Sequence, residues 1–117
     1  MNEPINWNDL EWEVVRPGVK RKVYHGQGCT IVINHLDPGH EPRPHAHGNE
    51  QVAYILEGET DFTVGSETHR LRPGSVLTVP PNVEHFASVV GDDTLVNMDF
   101  FVPKREDFVA SPVKNKG

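Results

Sequence analysis

Ten glycines and ten prolines, spread at fairly even intervals over 117 residues, cut the chain into pieces too short for long amphipathic helices. Between these breaks apolar and polar side chains alternate, as they do in a strand with one buried face. The side-chain inventory agrees. Val, Ile and Thr number 26 against 12 for Leu, Met and Ala together, and β-branched side chains suit a pleated surface while losing rotamers in a helix. Strands are expected at Val19–Tyr24, Cys29–Leu36, Gln51–Glu57, Asp61–Val64, Glu67–Leu71, Val76–Val79, Glu84–Val89 and Thr94–Val102. Gly65-Ser66 fits a two-residue hairpin and Gly91-Asp92-Asp93 a slightly longer one, so neighbours in sequence pair antiparallel. The pattern is that of an all-β barrel or sandwich. The first dozen residues and Lys104–Val109 can each hold a helical turn, and Ala110–Gly117, small and polar, is expected to fray.

At 13.1 kDa the chain is the size of one domain, with its core expected over about residues 15–108. Its formal charge is −6, and its 11 basic residues form no face able to track a phosphate backbone, which argues against nucleic acid and anionic membranes as partners. The longest apolar run, Val52–Leu56, is five residues, far from the ~20 that a spanning helix needs. Met1-Asn2-Glu3-Pro4 carries neither the basic start nor the apolar stretch of a secretory signal, so the cytoplasm is the expected location. Cys29, the single cysteine, excludes an intrachain disulfide or a Cys-rich zinc site and reads as a small core hydrophobe.

Among the seven histidines, spacing decides which can converge. His45 and His47 are separated by one residue, so in extended chain both rings leave the same face, about 6.5–7 Å apart at the backbone. Two imidazoles so placed can chelate one ion, although two exposed loop histidines would read the same way. Gln51, Ala53 and Ile55 share that odd parity, giving the following strand an inward face that is polar at its mouth and apolar below. Glu50 has the opposite parity and should point away, unless Gly48-Asn49 shifts the register. His25, His35, His40 and His69 read as exposed or simply hydrogen-bonded, with His35 open to an inward position through the odd-numbered face of its strand.

The frame around these residues is specific. Gly39, five residues, His45-x-His47, three residues, Gln51, six residues and Gly58 resembles the first motif of the cupin family in every spacing, with Gln where Glu is usual. Gly74, five residues, Pro80-x-Asn82, two residues and His85 resembles the second, with Asn82 for a Gly and Val89 for its final Asn. The resemblance implies a double-stranded β-helix, the cupin jelly-roll barrel, as a single domain. It also implies one divalent metal held by His45, His47, Gln51 and His85. Three imidazoles and a carboxamide oxygen suit Ni, Fe, Mn, Co or Zn. A neutral Gln leaves more of the ion's positive charge available than Glu would, which favours Lewis-acid work.

In the last strand Leu95, Asn97, Asp99 and Phe101 alternate with Val96, Met98, Phe100 and Val102. The uniformly apolar second set is expected between layers, which turns Asp99 and Phe101 toward the lumen. Arg105 stands just beyond, either at the rim of the cavity or solvated among neighbouring charges. Asp99-x-Phe101-x-Pro103-x-Arg105-x-Asp107-Phe108, the early Pro17–Val23 segment and the His-x-His-x-x-x-Gln variant resemble the small cupins of pectin and alginate catabolism. Those enzymes convert 4,5-unsaturated monouronates to linear keto forms. The resemblance implies a small anionic, carbohydrate-derived substrate, site roles for Asp99, Phe101 and Arg105, and a homodimer. A quercetinase-like dioxygenase, another cupin lyase or isomerase, and a non-catalytic sugar or small-acid binder share the same frame.

Overall fold

A computed structural model describes residues 3–114. After a single 3-10 turn at Trp7–Asp9 the chain forms nine strands: β1 Glu13–Arg16, β2 Val19–His25, β3 Thr30–Leu36, β4 Glu50–Glu57, β5 Glu59–Val64, β6 Glu67–Leu71, β7 Val76–Val79, β8 His85–Val90 and β9 Leu95–Val102. They build a six-stranded sheet, β1-β2-β3-β9-β4-β7, and a three-stranded sheet, β6-β5-β8, with every pairing antiparallel. The eight expected strands are all present. A ninth, β1, was not among them: only four residues separate Trp12 from Pro17, and their side chains are largely exposed, so no buried face marks the strand.

Register sets the order of side chains along the lumen. Leu36 lies opposite Leu95, Asn34 opposite Asn97, Val32 opposite Asp99 and Thr30 opposite Phe101, and Phe101 also faces Gln51 of β4. One end of the barrel is therefore apolar, closed by Val19, Leu36, Ala53, Ile55, Phe62, Leu71, Val79 and Leu95. A smaller cluster of Val23, Val32 and Phe101, with Phe108 against it, stands at the other end. The polar residues of β9 lie between the two.

Several details depart from the sequence expectation. Val96, Met98, Phe100 and Val102 occupy the outer face of the six-stranded sheet, where Val96 is buried as expected but Met98 and Phe100 are only half-buried and Val102 is 53% exposed. Residues 110–114 are tied down instead of fraying. Ser111 Oγ accepts from the Val23 amide at 2.7 Å, its own amide donates to Val23 O at 2.9 Å, and Val113 bridges to Leu10. Residues 115–117 of the expected tail lie outside the described residues. Cys29 is half-buried in the β2–β3 connection, not in the core. His35 turns to the outer face, where its ring packs 4.4 Å from that of Trp12.

Two motif glycines are required for different reasons. Gly58 has φ +80°, and a Cβ there would stand 2.7 Å from Thr94 O; Gly74 has φ +92° but open space around it. Asn82, where a second glycine is usual, holds the same left-handed conformation at φ 65°, which Asn tolerates better than most residues. Gly74→Ala should cost about 1–2 kcal/mol of stability from backbone conformation alone. Gly58→Ala should cost clearly more because backbone must also move. Chemical denaturation of the two variants checks this, and equal losses would contradict it.

Candidate metal centre

The segment before β4 is stitched to the start of β8 by a two-hydrogen-bond bridge. His45 N donates to His85 O at 3.1 Å and His85 N to His45 O at 2.9 Å, while Asn82 N donates to His47 O at 2.7 Å. The bridge brings His45, His47 and His85 together with one ligand atom of each within 4.8 Å of the others. Each ring uses Nδ1 on a backbone carbonyl two residues away: His45 on Arg43 O at 2.8 Å, His47 on Asn49 O at 3.1 Å and His85 on Val83 O at 2.9 Å. Such bonds fix the tautomer and leave each Nε2 lone pair free, the form in which imidazole binds a metal.

Two observations show that this set fits a cation. His85 is 2% exposed, yet its Nε2 has no hydrogen-bond partner. A buried orphan nitrogen is uncommon and calls for a ligand. Gln51 is also buried, and its Oε1 lies 3.0 Å from His47 Nε2. With His47 Nδ1–H given to Asn49 O, these are two lone-pair atoms side by side, an arrangement that a shared cation stabilises. Burial, chiefly, together with nearby His45, His47 and Arg105 brings the His85 pKa down to about 4, and burial likewise lowers that of His47, so both rings stay neutral and able to coordinate. Glu50 is exposed while Gln51 is buried, as parity required.

The centre opens on a cavity of about 340 Å³ lined by His45, Gln51, His85, Asn97, Asp99, Phe101 and Arg105, among others. Asp99 Oδ2 accepts from Asn34 Nδ2 at 2.8 Å and Oδ1 from Asn97 Nδ2 at 2.9 Å. Burial raises its pKa to about 6 against the lowering effect of Gln51, the two asparagines and Arg105. Arg105 stacks over Phe101 and Phe108, 4.9 and 4.0 Å from their centroids, and pairs with Asp107 at 2.9 Å. It stands at the cavity wall and is not a solvated charge.

A profile of the cupin domain family, Cupin_2, matches residues 32–101. The chain belongs to the cupin family. KdgF from Halomonas sp. superposes on this cupin with a TM-score of 0.84 and 29% identity, covering 93% of this chain and all of that one. In sequence, this cupin is 26% identical to H2HPP isomerase of Bacillus subtilis over 88% of its own length and 43% of the isomerase. It is 35% identical to dimethylsulfoniopropionate lyase DddW of Ruegeria pomeroyi over 76% of its length and 56% of the lyase. It thus spans only about half of these two curated relatives. Among the described residues no helix is long and apolar enough to cross a membrane.

Some site residues were not legible as such. Asn34 and Asn97 hold both oxygens of Asp99, and their signal was polar residues on otherwise apolar strand faces, where Asn is uncommon. Thr30 Oγ1 accepts from the Arg105 amide at 2.8 Å and meets His25 Nδ1 at 2.8 Å, while His25 Nε2 donates to Phe108 O at 2.8 Å. His25, read only as hydrogen-bonded, thereby anchors the segment that carries Arg105 and Phe108. His40 is neither exposed nor hydrogen-bonded through its ring, since it is buried with both nitrogens unpartnered.

Zinc or nickel at about 100 times its Kd should stabilise this cupin by about 2.7 kcal/mol, a rise on the order of 10 °C in the unfolding midpoint. His45→Ala removes a donor from an exposed position, sparing the core, and should abolish most of that rise. An undiminished rise in this variant, or none in the parent protein, would contradict a three-histidine centre.

Proposed function

We propose that this cupin is a metal-dependent enzyme that converts 4,5-unsaturated monouronates to their linear keto forms. The observation that carries the reading is the buried carboxyl of Asp99, which lines the same cavity as His45, His85 and Gln51. Support also comes from the resemblance at Asp99, Phe101 and Arg105 and from the whole-length likeness to KdgF.

His45, His47, Gln51 and His85 would hold one divalent ion, whose contribution is Lewis acidity toward substrate oxygens. Arg105, stiffened by two aromatic rings and Asp107, pairs with the uronate carboxylate. Phe101 packs against the sugar ring. Asp99 accepts the proton of the anomeric hydroxyl as the bond between C1 and the ring oxygen breaks. It returns a proton to C4 as C5 becomes a ketone, so that the reaction is a net isomerisation with no external reagent. A carboxyl with a pKa of about 6 suits both halves of that transfer near neutral pH. Asn34 and Asn97 keep it aimed.

The assay follows loss of the conjugated alkene's absorbance in freshly released 4,5-unsaturated galacturonate, against a blank because the conversion also proceeds unaided. Metal-loaded protein should accelerate the loss, and a chelator should remove the acceleration. Asp99→Asn, nearly the same shape, should lower kcat by about 100-fold or more while leaving metal affinity intact. No acceleration, or unchanged turnover in Asp99→Asn, would overturn the proposal.

A further inference from the structure

Although the chain is acidic overall, four of its six arginines line the cavity: Arg16, Arg21, Arg43 and Arg105. Among the described residues Asp99 is the only carboxylate in that lining. Three of the arginines have a carboxylate partner nearby, Arg21 with Glu13 at 3.0 Å, Arg43 with Glu41 at 3.6 Å and Arg105 with Asp107 at 2.9 Å. Arg16 has none within ion-pair distance among the described residues. Its Nε is buried and makes no hydrogen bond, and the same holds for both ring nitrogens of His40, a residue 8% exposed that lines the same cavity. The backbones of Glu41 and Ala87 flank the His40 ring without closing a bond to either nitrogen. Arg16 Nε–H and the one N–H of a neutral His40 are thus two buried donors on this wall without an acceptor, a built feature that calls for one.

The backbone holds this wall in place. Asp37 N donates to Gly18 O at 2.8 Å and His40 N to Asp37 O at 3.1 Å, locking the β1–β2 turn against the loop after β3. Gly18, at φ +79°, permits the approach, since a Cβ there would lie 3.3 Å from His40 Cβ. The wall is also remote from Arg105. Arg16 is three residues before Val19, which pairs with Leu36 at one end of β3, whereas the Arg105 amide is bound to Thr30 at the other end. Six strand steps between those anchors are roughly 20 Å, a distance that the two long side chains shorten from both sides. Arg16 acts electrostatically on His40, while Arg105 acts on His47, His85 and Asp99.

We infer that Arg16 and His40 form a second anion-binding subsite, and that among uronates this cupin prefers one carrying a second anionic group. This rests on the proposed role of Arg105 as the holder of the first carboxylate. It narrows the substrate class to a uronate or related sugar acid with a further acidic substituent, either a second carboxylate or a sulfate or phosphate ester. Arg16 Nε–H and an N–H of neutral His40 donate to that second group, and Arg43 adds charge at the rim.

The test is calorimetric and needs no turnover. Zinc-loaded protein is titrated with linear dicarboxylates from butanedioate to octanedioate and with the monocarboxylates of equal carbon number. A second series replaces one carboxylate by a phosphonate. At one chain length the dianion should bind about tenfold or more tighter than its monoanion. The better series tells whether the second group is planar or tetrahedral. Arg16→Gln and His40→Gln should each bring the dianion down toward the monoanion, with circular dichroism confirming that the variants fold. A dianion that never outbinds its monoanion, or an advantage that survives in Arg16→Gln, would overturn the subsite. Monoanion binding unaffected by Arg105→Gln would count instead against the first carboxylate's assignment, which separates the two failures.

Discussion

The reciprocal backbone bridge between His45 and His85 is the contact on which the site depends. The two histidines are 40 positions apart in sequence, and neither strand pairing nor core packing alone would align their rings. The bridge fixes both backbones, the Nδ1 bonds to Arg43 O and Val83 O fix the tautomers, and His47 follows because it lies one turn of parity along the same extended segment. What remains is a group of Nε2 lone pairs aimed at one volume. Leaving His85 Nε2 buried without a partner is costly in an empty protein and favourable once a cation is present.

The second organising feature is the change of polarity along β9. Leu95 belongs to the apolar end of the barrel, Asn97 and Asp99 to a hydrogen-bonded polar belt, and Phe101 to the aromatic wall beside the metal ligands. A single strand thus supplies apolar core, a buried carboxyl and an aromatic cavity wall in steps of two residues. Burial that would neutralise an isolated carboxyl is offset by the amides of Asn34 and Asn97, by nearby Gln51 and by Arg105, leaving Asp99 close to the midpoint useful for moving a proton at neutral pH.

Much of this was legible because it is periodic. The parity of His45, His47 and Gln51, the inward turn of Asp99 and Phe101, and the outward turn of Glu50 all follow from the two-residue repeat of a strand. The cupin frame added His85, which no local pattern could have joined to His45. The illegible parts depend on tertiary contact. β1 was hidden because its side chains are mostly exposed, and the apolar outer face of β9 is covered only at Val96, which periodicity does not foretell, since it separates two faces without saying how far each is covered. Residues 110–114 looked loose by composition, yet backbone bonds to Val23, Asp9 and Glu11 hold them. Arg16 and His40 line one cavity from distant parts of the sequence, with Gly18 allowing the close approach of the two loops.

X-ray absorption at the zinc edge of the loaded protein tests the centre most directly. Three imidazole nitrogens at about 2.0–2.1 Å, with oxygen completing the shell and one ion per chain, are the expected result. A shell with fewer than three imidazoles, sulfur scattering from Cys29, or an ion content well below one per chain would contradict a site built on His45, His47 and His85.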